Sequence, residues 1–208
     1  MSLQSQLQAG LDALRVSWTD AQIEQSLAYI GLIGRWNRID NLTAITDPQQ
    51  MVVHHLLDSL SIHPFLGAAV RVLDVGSGAG LPGIPLAIFN PESRFTLLDA
   101  AAKRVRFQHH VRTRLGLGNI DPQQGRVASF GAGDGYDVIV SRAFSSIGEF
   151  VSQSAHLLAP SGRLLAMKGK LPQDELGDLP DEFKYTVSPL QVPGLQAQRH
   201  LISITAGS

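Results

Sequence analysis

The chain has 208 residues, 44% of them hydrophobic, and a net charge of −1, with 17 Lys and Arg residues against 18 Asp and Glu residues. This length predicts one domain with a small extension, and the near-neutral charge limits any nucleic-acid contact to a local basic patch. The absence of cysteine excludes disulfides and cysteine metal sites. Because signal-peptide and membrane-length apolar patterns are also missing, we expect a soluble, cytoplasmic protein that does not associate with membranes.

The amino-terminal segment, residues 1–68, is predicted to form a helical cap. Its apolar residues recur at spacings of three and four, which is typical of amphipathic helices. Thr19 and Asp20 stand where a second helix would be capped. A third helix is predicted over residues 51–66, with Pro64 ending it.

The remainder, residues 69–208, is predicted to form a single α/β domain. Short apolar runs alternate with helical ones, which predicts βαβ units and a parallel sheet buried on both faces. The last two runs follow each other without a helix, so we expect an antiparallel hairpin at the sheet edge. The result is a doubly wound, Rossmann-like fold. The seven expected strands cover residues 71–75, 95–99, 125–130, 136–141, 162–169, 183–190 and 199–206.

The stretch RVLDVGSGAGLPGIP (residues 71–85) carries the pattern of a nucleotide-binding turn. The glycines Gly76, Gly78 and Gly80 follow a strand in a Gly-x-Gly-x-Gly spacing, whereas the dinucleotide fingerprint needs a glycine at the position of Leu81. The neighbouring acid Asp74 is unfavourable beside a diphosphate but suits a cationic ligand. The turn therefore favours a ligand with positive charge.

A second acid, Asp99, ends the second predicted strand, where acids of such folds accept ribose hydroxyls. S-adenosylmethionine has a ribose, no phosphate and a positive sulfonium, so it fits the turn better than NAD. The alternative is an ordinary glycine-rich turn with Asp99 as a surface acid.

Several longer motifs occur in order between residues 36 and 201. They are WNRIDNLTAITDP, HHLLDSL, LDVGSGAGLPGIPLAI, TLLDAAAKRVRF, VIVSRAF, MKGK and RHL. Together they resemble the ribosomal small subunit methyltransferase G family, also called glucose-inhibited division protein B. The resemblance implies a class I methyltransferase that uses S-adenosylmethionine to methylate N7 of one guanosine, guanine 527, in 16S rRNA.

The residues are compatible with that reaction. Methylation of cytosine C5 needs a cysteine nucleophile, which the chain lacks. Methylation of an exocyclic amine usually uses a polar-Pro-Pro-aromatic loop, and the corresponding place, residues 141–144, reads SRAF. Guanine N7 carries a lone pair and no proton, so its attack needs positioning and no general base.

The resemblance also implies site residues. The cofactor pocket falls on Gly76, Leu81, Val127, Ala128 and Arg142, to which the turn adds Ser77, Gly78 and Gly80 and the end of the second strand adds Asp99. Ala128 departs from the family, whose members often have a glutamate there. We expect Arg142 and Lys168, at strand ends, to contact the reactants and to act as catalytic residues.

A basic helix is the main RNA-binding candidate. Lys103, Arg104 and Arg106 lie at its start, and Asn41 and Lys170 are further candidates. The alternative is a solvated helix face. No metal site is expected, because the adjacent His54 and His55 would point in different directions on a helix.

The expected partner is 16S rRNA, either free, in an assembling particle or in the finished small subunit, and the protein is expected to be a monomer. Two other functions remain open. One is a small-molecule or protein methyltransferase of the same fold. The other is a non-catalytic binding module that keeps an unused cofactor pocket.

Overall fold

The computed structural model describes residues 1–131, 133–142, 144, 146–177 and 179–207. Its helices are α1 (Leu3–Leu14), α2 (Asp20–Asp40), α3 (Pro48–Met51), α4 (Asp58–Leu60), α5 (Gly83–Phe89), α6 (Ala102–Leu115), α7 (Ile147–Ser154) and α8 (Gln173–Gly177), with a π-helical segment, Val52–Leu57, between α3 and α4. Its strands are β1 (Arg71–Val75), β2 (Arg94–Asp99), β3 (Ile120–Gln124), β4 (Tyr136–Ser141), β5 (Leu158–Lys168), β6 (Phe183–Pro189) and β7 (His200–Ala206). Over the described residues, no helix combines the length and the apolar character needed to cross a membrane.

The strands form one seven-stranded sheet in the order β3-β2-β1-β4-β5-β7-β6. Neighbours among β1 to β5 pair in parallel, whereas β7 pairs antiparallel with both β5 and β6. This confirms the predicted mostly parallel sheet with an antiparallel carboxy-terminal hairpin. Because β7 runs against β5, His200 at its start pairs with Lys168 at the end of β5. One edge of the sheet therefore collects the carboxyl ends of the parallel strands and the beginning of β7.

The helices of residues 1–68 pack against this sheet through a shared apolar core. Thr19 caps α2 in a capping box with Gln22, which fixes where the helix begins. Buried side chains of α1 and α2, such as Leu11 and Ile33, belong to the same cluster as Phe107 of α6. The boundary at residue 68 remains a prediction about how the chain divides.

The prediction for the third helix was wrong in its limits and in its type. The helix begins at Pro48, since the Asp47 carboxylate accepts hydrogen bonds from the amides of Gln49 and Gln50. It widens into the π-helical segment and ends at Leu60. Pro64 lies in a separate short 3₁₀ turn and so does not end the main helix.

The third strand was also misplaced. Residues 125–130 form a turn that includes a short 3₁₀ helix, Val127–Ser129, and β3 is the preceding polar segment, Ile120–Gln124. β3 is an edge strand, where a proline such as Pro122 and polar side chains are tolerated because one side needs no hydrogen-bond ladder. Apolar content was therefore the wrong signal for this strand.

Candidate active site

The glycine turn between β1 and α5 has the conformation that glycine permits. Gly76, Gly78 and Gly80 have φ angles of 67°, 58° and 90°, all in the left-handed region. A Cβ atom at Gly80 would collide with the Ile84 side chain. The buried Tyr29 hydroxyl of α2 donates a hydrogen bond to the Ala79 carbonyl within the turn, at 2.7 Å. The turn thus offers a ligand mainly backbone atoms, and a hydrogen bond from α2 holds its conformation.

Asp99 ties this turn to the beginning of α6. Its Oδ2 accepts a hydrogen bond from the Gly78 amide at 2.8 Å, and its Oδ1 accepts one from the Ala101 amide at 2.9 Å. The Arg104 guanidinium lies 3.4 Å from Oδ2. Each carboxylate oxygen can accept more than one bond, so the predicted ribose contact is compatible with these partners and stays a prediction.

Asp74 lies fully buried beneath the turn. Its Oδ2 accepts a hydrogen bond from the Gly83 amide at 2.8 Å, and its Oδ1 has no hydrogen-bond partner among the residues that the structure describes. Burial raises the pKa of this carboxyl from 3.8 to about 7, while the Gly83 bond and Arg142 oppose the rise. An unpaired carboxylate oxygen in the interior is costly, and a positively charged ligand on the turn would offset that cost. The site therefore fits the cationic cofactor that the sequence predicted.

Gln108 is a site residue that the sequence analysis missed. Its side-chain amide donates to the Ser77 hydroxyl at 2.8 Å and to the Gly78 carbonyl at 2.9 Å. The side chain is fully buried on α6, at helical spacing from the buried Val105 and Val111. A glutamine on the inner face of a helix needs polar partners, and that spacing was the available signal.

The other predicted cofactor residues surround the turn. Leu81 is buried directly after it, and Val127 belongs to the same buried apolar cluster as Val75 of β1 and Leu98 of β2. Ala128 is exposed in the 3₁₀ turn that follows β3. The structure brings these residues to the carboxyl edge of the sheet, and their contacts with a cofactor stay predictions.

A cavity of about 460 Å³ lies at the same edge, and we call it the basic pocket. It is lined by Thr43, Ala44, Ile45, His54, His55, Asp58, Arg142, Met167, Lys168, Gly169 and Arg199. Arg142 follows β4, Lys168 ends β5 and Arg199 precedes β7, so the sheet topology brings three cations together. The prediction had placed Arg142 and Lys168 here, but it left Arg199 and Asp58 unassigned.

The cations of the basic pocket are held by specific partners. Arg142 lies 3.1 Å from Oδ2 of Asp58, and Arg199 lies 2.9 Å from Oδ1 of the same carboxylate. Lys168 donates to the Phe144 carbonyl at 3.2 Å and lies 3.3 Å from the Glu175 carboxylate. Ala143, in the predicted SRAF motif, lies outside the described residues.

His55 forms part of the pocket wall as a neutral side chain. Its Nε2 lies 3.1 Å from the Thr43 hydroxyl. Burial, followed by the charge of Arg142, lowers its pKa from 6.5 to about 4. His55 is therefore a weak base near neutral pH.

The predicted RNA-binding residues fall at two places. Lys103 donates to the Asp40 carbonyl at the end of α2 at 3.1 Å, next to the exposed Asn41, which ends α2 with a φ of 46°. Arg106 is exposed one turn further along α6, and Lys170 is exposed just beyond β5, near the basic pocket. The first three residues form one surface and Lys170 another.

A larger cavity of about 1150 Å³ lies at the opposite edge of the sheet. Its lining includes Arg71 and Arg94 at the beginnings of β1 and β2. The glycine turn, Asp99 and the basic pocket all lie at the other edge, where α/β sheets bind their ligands. We therefore assign the candidate site to the carboxyl edge.

Comparison with known proteins identifies the family. A family model for rRNA small subunit methyltransferase G matches residues 22–202. Ribosomal RNA small subunit methyltransferase G of Escherichia fergusonii is 48% identical over 190 residues, which cover 91% of each chain. The protein of the same name from Shigella flexneri is 47% identical over 192 residues, 92% of each chain.

The chain belongs to the rRNA small subunit methyltransferase G family. The resemblance inferred from the sequence motifs is thereby confirmed, and the enzyme class is methyltransferase.

Solved structures support the fold of this member of the methyltransferase G family. A SAM-dependent methyltransferase from Aquifex aeolicus aligns with a TM-score of 0.60 and 17% identity, over 79% of this chain and 97% of that one. A SAM-dependent methyltransferase from Thiobacillus denitrificans, in complex with S-adenosyl-L-homocysteine, aligns with a TM-score of 0.52 and 15% identity, over 73% and 91%. At these identities the likeness shows the Rossmann-like methyltransferase fold.

Proposed function

We propose that this protein transfers a methyl group from S-adenosylmethionine to N7 of one guanosine in 16S rRNA, guanine 527. The observation that carries the choice of N7 is the state of the two buried groups of the basic pocket that could remove a proton, His55 and Asp58. The third group that could do so, His54, lies at the pocket with its Nε2 hydrogen-bonded to Gln50 Oε1 at 3.1 Å. His55 has its pKa lowered to about 4, and the Asp58 carboxylate is engaged by two guanidinium groups. N7 needs no proton removed, whereas an amine or a hydroxyl acceptor would need a base.

The glycine turn is the proposed cofactor site. Gly76, Ser77, Gly78, Gly80 and Leu81 present backbone amides and little side chain. Asp99, at the end of β2, accepts hydrogen bonds from the ribose hydroxyls. Val127 and Ala128 line the pocket, and Ala128 does so through its backbone. When bound, S-adenosylmethionine supplies the electrophilic methyl group.

The buried carboxylate of Asp74 provides charge for this ligand. The Oδ1 atom has no partner among the described residues. Because the pKa of the Asp74 carboxyl is about 7, a nearby cation can shift this group toward its charged form. Binding of a sulfonium compound would then release a proton below pH 7.

The basic pocket is the proposed acceptor site. Arg142 and Lys168 donate hydrogen bonds to acceptor groups, so they can hold the O6 edge of guanine and an adjacent phosphate. Their role is to orient N7 along the line of the sulfur–methyl bond, since positioning is the main requirement for this transfer.

RNA is recruited by cations on α6 and beyond β5. The phosphate groups are contacted by four cations, Lys103, Arg104, Arg106 and Lys170. Asn41 lies beside Lys103 on the same surface. The net charge of −1 means that affinity depends on this local patch.

A deletion strain tests the proposal in cells. Mass spectrometry of 16S rRNA from that strain should lack one 7-methylguanosine, and expression of the protein should restore it. An unchanged N7 mark would contradict the proposal. Methyl transfer to a protein or a small molecule, with none to rRNA, would support the alternative enzyme class.

A further inference from the structure

Asp58 joins the amino-terminal helices to the two arginines of the basic pocket. It begins α4, directly after the π-helical segment, and its side chain is only 6% exposed. Arg142 and Arg199 reach it from the ends of two different strands, 84 and 141 residues away in sequence. One carboxylate therefore connects three segments that the sequence keeps far apart.

The geometry assigns one arginine to each carboxylate oxygen. Arg142 Nη1 lies 3.1 Å from Oδ2 and also donates to the His54 carbonyl at 3.2 Å. Arg199 Nε lies 2.9 Å from Oδ1. The side chains of Arg142 and Arg199 are 26% and 22% exposed, so both are held at the pocket wall and remain partly accessible. Two fixed guanidinium groups in one wall can bind a guanine edge and a phosphate in a defined orientation.

The π-helical segment explains how Asp58 reaches this place. A π-helical turn holds more residues than an α-helical turn, so it rotates the residues that follow relative to those before it. Here it lies over Val52–Leu57 and brings both the His54 carbonyl and the Asp58 carboxylate to Arg142. Such turns are frequent at functional sites.

We propose that Asp58 is a positioning residue of the acceptor site, which orients Arg142 and Arg199 and balances part of their charge during methyl transfer. This inference rests on the proposed function. In that reaction the N7 lone pair forms the new carbon–nitrogen bond, and the electrons of the broken carbon–sulfur bond stay on sulfur. The positive charge thus moves from the cofactor to guanine, toward a wall of guanidinium groups. A fixed carboxylate in that wall lowers the electrostatic cost of this movement.

The test is the Asp58→Asn variant, with Asp137→Asn as a matched control. Asp137 accepts hydrogen bonds from the Val70 and Arg71 amides, both at 2.8 Å, at the opposite edge of the sheet. Each variant removes a carboxylate that joins separate segments, but only one lies at the pocket. The measurements are kcat and KM on unmethylated small subunits, the dissociation constant of S-adenosylmethionine and the thermal midpoint.

For Asp58→Asn we expect kcat to fall by about tenfold to a hundredfold, as for misplaced catalytic groups in general. The affinity for S-adenosylmethionine should stay within about twofold of wild type, and Asp58→Glu should recover part of the lost kcat. Asp137→Asn should keep the wild-type kcat. An unchanged kcat in Asp58→Asn, or a loss matched by cofactor affinity, would overturn the inference.

Arg199→Gln removes the same contact from the partly exposed side, so it tests the inference even when Asp58→Asn is unstable. Its kcat should fall while its affinity for S-adenosylmethionine stays within about twofold of wild type, and an unchanged kcat would overturn the inference. Where both variants fold, a double-mutant cycle adds a second comparison. If Asp58 acts through the arginines, Asp58→Asn should cost less kcat in the Arg199→Gln background than in the wild type. Equal costs in both backgrounds would contradict a positioning role. If the wild type leaves N7 unmethylated, the proposed function fails and this inference fails with it. A methylating wild type with a fully active Asp58→Asn overturns the inference alone.

Discussion

For single residues of this site, the amino-acid type and its position in a motif predict a role, but they do not predict which groups the side chain contacts. The sequence predicts a cationic ligand near Asp74, and the structure adds that this side chain is buried with one oxygen that has no partner in the described part of the chain. It placed Asp99 at a ribose, and the structure shows that the same carboxylate also holds the glycine turn. Residue type and position in a motif predicted the neighbourhood, whereas burial and hydrogen-bond partners required the tertiary structure.

Asp74 and His55 should give opposite pH dependences of stability. The pKa of Asp74 is raised from 3.8 to about 7, so the native state holds this proton more tightly and stability falls as pH rises through that window. The pKa of His55 is lowered from 6.5 to about 4, so stability falls as pH decreases through that window. Between pH 4 and 6.5 the two slopes oppose each other in the wild type.

Denaturant unfolding of single variants at several pH values would separate these two slopes. Asp74→Asn should remove the loss of stability toward pH 7, an effect of at most about 4 kcal/mol. His55→Asn should remove the loss of stability that accompanies a decrease in pH from 6.5 to about 4. If Asp74→Asn shows the same pH profile as the wild type, the buried carboxyl does not titrate in this range.

Gln108 should control cofactor affinity through the glycine turn. In Gln108→Leu, the Ser77 hydroxyl and the Gly78 carbonyl lose a buried donor, so we expect about a tenfold weaker binding of S-adenosylmethionine, about 1.4 kcal/mol. Calorimetric titration measures this. Gln25→Leu is a matched control, because its amide donates to the Leu115 carbonyl at the far end of α6. Equal affinities of Gln108→Leu and wild type would refute the role.

Secondary-structure elements were predictable where periodicity reflects burial. β1, β2 and β4 are buried and apolar, and the β6–β7 hairpin followed from the missing helix between two apolar runs. The prediction of the edge strand β3 failed because the sequence of that strand is polar. The π-helical segment was not predicted because five of its six residues are buried, so its sequence has no polar–apolar period that would distinguish a π turn from an α turn.

The α6 helix should bind RNA through its amino-terminal half. Arg106→Gln should weaken RNA binding and reduce the slope of log affinity against log salt by up to about 1, as expected for one lost phosphate contact. Arg114, exposed at the other end of the same helix, provides the control Arg114→Gln. Fluorescence anisotropy with an rRNA fragment at several salt concentrations measures both. An identical slope for wild type and Arg106→Gln would place the RNA elsewhere.

At the scale of the whole molecule, the fold was predictable and the complete pocket was not. Strand and helix alternation gave the sheet, and the rule that ligands bind at carboxyl ends placed Arg142 and Lys168 correctly at one edge. Arg199 arrives there only because β7 runs antiparallel to β5, and Asp58 only because the amino-terminal helices fold over that edge. Such pairings depend on long-range packing, which no local pattern encodes.

The most direct test of the account is methyl transfer by the purified protein to small ribosomal subunits that lack the modification. Nucleoside mass spectrometry separates 7-methylguanosine from guanosines methylated at N1 or N2, and nuclease fragments locate the modified position. We predict one 7-methylguanosine per subunit, at a single site in 16S rRNA. Methylation at N1 or N2, at another RNA, or no transfer with S-adenosylmethionine present would contradict it.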